Sequence, residues 1–316
     1  MRVFGTNYLK LRNQYLIPFI PHGIQRRNYE YWIFKDVITD KLLSLNKISA
    51  NSFEIEIKED DFYKGLYCEV QLFFSKSMIQ YIDFSQSKLN SASWSFVTLY
   101  YLSFFASTTL FRFLHKGFIF LDFSHTKKFE NYSLAMYSQP LKLNSGNYYF
   151  SVSGINSFGN ILLTLTFKGR NIHQSHWIQM EQFLRDSIPD CDNDEKIIFS
   201  LLLKLFTEFP TEFQSTLRNK LNYKCESAIW DFEKKFPNIN FLHLNGNFVK
   251  ELLRQEFSKS DINQLNGTAI ISVFLMKYIL KLFTELTERS EYGKDFSKER
   301  NRYLKLKSYQ KLEFDL

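Results

Sequence analysis

The hydrophobic positions in the first half of the chain recur mainly at the spacing of helices. Apolar residues return every three to four positions in segments 26–47 and 66–81, and an almost continuous apolar segment covers 94–114. Residues 90–93 precede this last segment and include the Asn and Ser side chains that cap helix N-termini. Within 53–57, Phe and Ile alternate with Glu, which is the pattern of a half-buried strand. The pattern predicts three helices and one short strand.

The middle of the chain favours β structure. Short runs of aromatic and β-branched residues at 117–123, 148–152 and 161–167 are separated by clusters of Asn, Ser and Gly, which favour turns. These runs predict two or three antiparallel strands inserted between helices. The polar segment 124–147 is predicted to be a loop.

Helical spacing resumes in the second half of the chain. The predicted helices cover residues 171–188, 194–209, 211–221, 228–236, 248–257 and 262–286. A basic tail follows at 294–311. We therefore predict a mainly α fold, a helical bundle with a small antiparallel β insertion and a helical C-terminal extension. Its predicted parts are an N-terminal segment, 1–62, a helical core, 63–222, with the β insertion near 117–168, and a C-terminal region, 223–316.

The composition is that of a chain with a packed core. Of the 316 residues, 45% are hydrophobic and 18% are aromatic, so folding can bury enough apolar surface to offset the ordering entropy. Lys and Arg total 40 against 33 Asp and Glu, a formal net charge of +7, which attracts a polyanion only modestly. The three cysteines, Cys68, Cys191 and Cys225, are too widely spaced for a disulfide framework or a CxxC zinc site.

Several classes of enzyme are excluded because their motifs are absent from the sequence. There is no GxxxxGK[ST] phosphate loop, no GxGxxG, no GxSxG and no HExxH. With 11 glycines the chain has few positions for loops that bind phosphate through backbone amides, and with 6 histidines it has few ligands for a metal site. An enzyme driven by nucleoside triphosphates is therefore not expected, and neither a cofactor nor a metal is predicted.

The apolar segment 94–111 allows two interpretations. Its length approaches that of a membrane span, yet six of its residues are Ser or Thr and no basic cluster marks one end. A helix that is apolar on all sides is also typical of the centre of a bundle. The N-terminus lacks the apolar region and the cleavage site of a signal peptide. We favour the buried helix and predict a cytoplasmic protein without membrane contact.

The densest group of functional side chains lies where a predicted strand meets a predicted helix. It consists of Arg170, Asn171, His173 and His176. Asn171 is positioned to cap the helix, and the helical wheel puts both histidines on the packed side. A histidine on an apolar face is usually a hydrogen-bonded core residue, and an arginine at a helix start often only closes a loop. The sequence leaves open whether this group is structural or catalytic.

The catalytic interpretation is cleavage of RNA. Attack of a 2′-hydroxyl on a phosphodiester requires proton acceptors and donors that titrate near neutral pH, which imidazole supplies. It also requires a fixed cation for the charge that develops on the phosphoryl oxygens, and guanidinium binds these oxygens bidentately. In this interpretation His176 is the general acid and base and Arg170 stabilises the phosphate, with Asn171 and His173 in support. No metal is needed.

Two features of the sequence resemble HEPN domains. The string YYLSFFA at 100–106 is similar to the Tyr-Tyr-small-Phe helix of many HEPN proteins. Arg170 is followed by a polar residue and, after five intervening positions, by His176. This arrangement is similar to the Arg-to-His motif of the HEPN ribonucleases. The resemblance covers about residues 66–223 and implies a four-helix bundle of a prokaryotic antiviral defence or toxin–antitoxin system. It implies either a metal-independent ribonuclease that pairs two Arg/His sets, or a scaffold or sensor that has lost them.

A second group combines arginine with tyrosine. Arg218 and Tyr223, near the end of a predicted helix, can bind a phosphate and stack on a base. The structural alternative is a helix C-terminus, where the dipole favours Arg218 and Asn222 ends the helix. Arg300 and Arg302 in the basic tail have a similar composition and would either follow a nucleic-acid backbone or form a solvated surface.

Two functional hypotheses follow. The first is a metal-independent endoribonuclease or RNA-targeting effector of an antiviral defence or toxin module, whose partners are RNA and either a co-encoded protein or a second copy of the chain. The second is a non-catalytic HEPN-like scaffold or sensor subunit that binds a partner protein or nucleic acid in a defence complex. The aromatic content favours the second, because aromatic surface beyond what one core can hide is typical of interfaces.

Overall fold

The fold is mainly helical. A computed structural model describes residues 4–22, 33–86, 91–138, 141–169, 171–224, 232–235, 254, 260–291, 293–294 and 298. Its α-helices are α1 (Thr6–Leu11), α2 (Ile17–Phe19), α3 (Phe34–Asp40), α4 (Glu59–Gln86), α5 (Ala92–Phe113), α6 (Phe123–Tyr137), α7 (Ile172–Ser187), α8 (Asn193–Glu208), α9 (Phe213–Tyr223), α10 (Glu233–Lys235) and α11 (Asp261–Arg289). A π-helical turn, Arg12–Leu16, joins α1 to α2, and 3-10 turns lie at Ile20–His22 and Ile188–Asp190.

Five strands form one antiparallel sheet. They are β1 (Leu42–Lys47), β2 (Ser52–Ile57), β3 (Lys116–Leu121), β4 (Gly146–Ile155) and β5 (Ile161–Gly169), in the spatial order β1-β2-β5-β4-β3. In β2 the buried residues Phe53, Ile55 and Ile57 alternate with half-buried polar ones. This period of two turns one face of the sheet toward the core.

Helix α5 lies at the centre of the helical part. It packs along α4 on one side and α11 on another, and most of its side chains are buried. Its N-terminus is capped twice, because Ser91 accepts a hydrogen bond from the backbone N–H of Trp94 and the Glu233 carboxylate accepts from the N–H groups of Ala92 and Ser93. No helix in the described ranges has both the length and the hydropathy of a membrane span.

The predicted element types are confirmed for most of the chain, with three corrections. The predicted helix 26–47 ends early: α3 stops at Asp40, and 42–47 is strand β1, while 26–32 lies outside the described residues. The predicted loop 124–147 contains α6, whose N-cap Asp122 accepts hydrogen bonds from two backbone N–H groups. The predicted insertion of two or three strands is part of a five-stranded sheet, because β2 pairs with β5.

One cluster of buried hydrophobic side chains runs through the whole described chain. It extends in sequence from Tyr8 to Leu286 and includes residues from the sheet and from helices that precede and follow its strands in the chain. The pairing of β2 with β5 crosses the predicted boundary between 1–62 and 63–222. The predicted helix 248–257 and the basic tail lie almost wholly outside the described residues.

Candidate functional site

The residues proposed from sequence fall into two groups. Arg170, Arg300 and Arg302 lie outside the described residues, so the structure says nothing of them. Asn171 is exposed at the N-cap position of α7, but its side chain does not cap the backbone. Its amide instead donates a hydrogen bond of 2.9 Å to Oε1 of Gln174. The remaining residues belong to the helices that surround α5.

His176 is sealed inside the core. Its side chain is 2% exposed, its Nε2 lies 2.5 Å from Oγ of Ser107, and its ring centroid lies 4.6 Å from that of Phe104 and 5.1 Å from that of Phe111. Burial, with smaller contributions from the charges of neighbouring groups, lowers the pKa of His176 to about 3. The imidazole is therefore neutral at pH 7, and in this arrangement no phosphodiester can contact it. Its catalytic role stays a prediction that requires a rearrangement of α7.

His173, one turn earlier on α7, is only half buried. The hydroxyl of Tyr100 lies 2.7 Å from its Nδ1, and no hydrogen bond in the described part of the chain involves its Nε2. Burial and, to a smaller extent, the charge of Arg218 lower the pKa of His173 to about 4. His173 is thus a neutral imidazole at pH 7, with one nitrogen held by Tyr100 and the other available to a ligand.

Arg218 on α9 is buried next to this pair. Its side chain is 6% exposed, and its guanidinium carbon lies 5.1 Å from the ring centroid of Tyr100 and 5.7 Å from that of Tyr101. Its Nε has no hydrogen-bond partner, and the described residues contain no carboxylate that forms an ion pair with it. A buried guanidinium without a counter-charge is costly, and the two aromatic faces compensate only part of that cost.

The three residues come from three helices whose relative positions are fixed by packing. Ser103 on α5 donates a hydrogen bond of 2.9 Å to Oε1 of Gln214 on α9, and both side chains are buried. Gln214 lies one turn before Arg218, so this bond sets the position of the arginine along α5. We refer to Tyr100, His173 and Arg218 as the Arg218 cluster. The sequence analysis proposes His173 and Arg218 as members of two separate groups, and it assigns no role in a site to Tyr100.

The Arg218 cluster has the donors for an anion. Burial raises the pKa of Tyr100, against the opposing effect of Arg218, so the hydroxyl keeps its proton. A phenol that donates to Nδ1 of His173 leaves the imidazole proton on Nε2, where it is a second donor beside the guanidinium. One fixed positive charge and one neutral donor suit a singly charged phosphodiester.

Tyr223 and the described cysteines lie outside the Arg218 cluster. Tyr223, at the end of α9, is 77% exposed and can stack on a ligand, but it is not part of the Arg218 cluster. Cys68 and Cys191 are free thiols, and burial raises the pKa of each to about 12, so neither is a reactive thiolate. Cys225 is outside these residues. No group of three metal-ligating side chains occurs within the described ranges.

Comparison of the chain with protein families, with curated proteins and with solved structures found no match. The resemblance to HEPN domains therefore rests on the aromatic helix and on the spacing from Arg170 to His176 alone.

Proposed function

We propose that this chain binds RNA as a non-catalytic HEPN-like subunit, and that the Arg218 cluster receives a phosphate of the RNA backbone. The observation that carries the proposal is the buried guanidinium of Arg218, which has an unpartnered Nε and no ion pair among the residues described. A phosphate bound at the guanidinium would supply the missing counter-charge. The neutral imidazole of His173 adds a second donor beside it.

A non-catalytic subunit is favoured by the position of the histidines. His176 is sealed against Ser107, and the low pKa of His173 makes it a poor general acid at neutral pH. The assignment to a prokaryotic antiviral defence complex, with a co-encoded protein or a second copy of the chain as partner, is supported only by the HEPN-like aromatic helix. Light scattering and co-purification with co-encoded proteins test that assignment.

The experiment that tests RNA binding is the fluorescence anisotropy of a labelled oligouridine of about twelve residues, a length typical of single-strand sites. Arg218→Gln should weaken binding about ten-fold or more, because a hydrogen bond to a charged group is lost together with the charge. The matched control is Arg185→Gln, whose guanidinium is exposed and paired with Glu181. Equal affinity of Arg218→Gln and the wild type would contradict the proposal.

Metal-independent RNA cleavage is the second candidate, and one observation favours it. A half-exposed imidazole, His173, lies within the electrostatic influence of a guanidinium, Arg218, and these are the two groups that phosphodiester cleavage needs. Incubation of RNA with excess chelator tests it. Cleavage that is lost in His173→Gln but kept in His176→Gln would support an enzyme centred on the Arg218 cluster. No cleavage by the wild type, alone or with its partner, is the result expected of a binding subunit.

A further inference from the structure

Three half-buried aromatic rings form a continuous series on the outer side of α4 and α5. Tyr101 and Phe105 are one turn apart on α5, and their ring centroids are 5.8 Å apart with planes inclined by 25°. Phe73 on α4 continues the series, with its centroid 6.3 Å from that of Phe105 and planes inclined by 29°. We call these three residues the aromatic ladder. Its rings stack in nearly parallel planes and keep part of their surface open to solvent.

Two cations lie beside the aromatic ladder. The guanidinium carbon of Arg218 lies 5.7 Å from the centroid of Tyr101, and Nζ of Lys76 lies 5.4 Å from the centroids of both Phe73 and Phe105. Neither cation forms an ion pair within the part of the chain that the structure describes. The aromatic ladder therefore carries one positive charge near Tyr101 and one between Phe105 and Phe73, and no carboxylate in these residues forms an ion pair with either.

The two phenylalanine rings of the aromatic ladder lie at the edge of the core, where the buried guanidinium carbon of Arg112 is 5.6 Å from the centroid of Phe73. Phe73 and Phe105 are not among the residues of the buried hydrophobic cluster, whereas Tyr101 packs against it. Glu69, one turn before Phe73, does not make this surface acidic, because it forms an ion pair with Arg112. Two phenylalanine rings that stack on each other at the surface, beneath an unpaired ammonium group, form a surface that suits a ligand with flat rings and negative charges.

We infer that the aromatic ladder is a platform on which bases of single-stranded RNA stack, while Lys76 and Arg218 bind phosphates beside it. This inference rests on the proposed function, and it adds the class of RNA and the path of the strand. Every base has a π-face, so stacking on Tyr101, Phe105 and Phe73 would not depend on sequence. Paired bases in a duplex cannot reach the rings, so duplex RNA should bind more weakly.

The charges favour RNA over a partner protein as the occupant of this surface. Lys76 is strongly hydrated, so its burial in an apolar interface would be costly without a carboxylate from the partner. A phosphate backbone supplies anions beside flat bases, which suits a surface that combines cations with aromatic rings.

The test compares ring substitutions that keep apolar volume but remove the π-face. The variants are Phe73→Leu, Phe105→Leu and the double variant, and the control is Phe158→Leu, whose ring is 86% exposed at the β4–β5 turn. Binding of a labelled oligouridine of about twelve residues and of its duplex with oligoadenine is measured by anisotropy. Each ladder substitution should weaken single-strand binding about ten-fold, the control should not, and the duplex should bind more weakly than the single strand.

The possible outcomes separate this inference from the proposed function. If the ladder variants bind like the wild type while Arg218→Gln is impaired, the inference is overturned and RNA binding at the Arg218 cluster stands. If the wild type does not bind RNA, both are overturned. If the ladder variants change the mass measured by light scattering but not the RNA affinity, the surface is a protein interface and the inference is overturned. Should the leucine variants not fold, Lys76→Gln tests the same surface, with an expected loss of about ten-fold in affinity for a lost charged contact.

Discussion

Ser107 and His176 are joined by a hydrogen bond of 2.5 Å between Oγ and Nε2 inside the helical core. The hydroxyl of Ser107 also lies 3.0 Å from the backbone carbonyl of Phe104. If its proton goes to that carbonyl, the serine oxygen accepts from Nε2–H of His176; if it goes to Nε2, the imidazole proton is on Nδ1. In either case the bond joins α7 to α5 and occupies the nitrogen that a general base would need.

The buried histidines should make the protein less stable in mild acid. Burial lowers the pKa of both His115 and His176 to about 3, from an ordinary value of 6.5. Between these values the unfolded chain binds protons that the folded chain does not, so their contribution to stability is complete above pH 6.5 and is lost as the pH falls toward 3. We expect the free energy of unfolding in urea to decrease from pH 6.5 downward, by roughly 1 kcal/mol per pH unit for each histidine.

The matched variant for this prediction is His176→Gln, which removes one titrating group while keeping a hydrogen-bond donor near Ser107. Its unfolding free energy should depend less steeply on pH between 6.5 and 4.5 than that of the wild type. Phe158→Leu, at a ring that is 86% exposed and does not titrate, is the control and should leave the slope unchanged. Identical slopes for the wild type and His176→Gln would show that His176 is accessible to protons in the folded state.

Arg112 should be among the most sensitive positions of the fold. Its side chain is 1% exposed and forms an ion pair with Glu69, and its guanidinium donates to the carbonyl of Phe118 at 2.6 Å. Arg112→Met would leave Glu69 without its partner and that carbonyl without its donor, so we expect a loss of about 3–5 kcal/mol in unfolding free energy. Arg185→Met, at an exposed pair, should lose less than about 1 kcal/mol. A small effect at Arg112, measured in urea, would contradict the buried ion pair.

Glu195 should hold the N-terminal helix in place. Its carboxylate is completely buried and accepts hydrogen bonds from the backbone N–H groups of Gly5, Asn7 and Tyr8, at 2.7, 2.9 and 3.0 Å. Glu195→Ala would leave these donors unpaired at the start of α1, and we expect it to lower stability by about 2–4 kcal/mol. Hydrogen exchange provides the measurement, because the amides of α1 should lose protection first. Similar protection of α1 in the wild type and the variant would refute this anchoring role.

The sequence predicts an element well where local pattern and packing agree. The helix predicted at 94–114 is α5 at Ala92–Phe113, because an apolar segment of helical length follows a capping serine. Residues 42–47 were predicted as helix because their leucines fit that spacing, but pairing with β2 makes them a strand. Residues 124–137 belong to the segment predicted as a loop because it is polar, yet Asp122 caps α6 there into a helix with an exposed face. Sheet pairing is non-local, and a single sequence does not display it.

The candidate site was predictable only in part. The helical wheel puts both histidines on the packed side of α7; His176 is 2% exposed, whereas His173 is only half buried. The approach of Arg218 to Tyr100, the partner of His173, depends on the packing of α9 against α5, which the buried Ser103–Gln214 bond fixes. These contacts join residues far apart in the chain, and local pattern carries no signal for them. The one available signal was the Tyr100–Tyr101 pair, whose rings lie under the guanidinium.

The salt dependence of RNA binding tests the central claim most directly. Each phosphate that a cation neutralises on a single strand contributes about −0.7 to the slope of log Kobs against log salt concentration. If Arg218 binds a phosphate, the slope for Arg218→Gln should be smaller in magnitude than that of the wild type by about 0.7, whereas Arg185→Gln should keep the wild-type slope. A slope for Arg218→Gln equal to that of the wild type would contradict a phosphate contact at the Arg218 cluster.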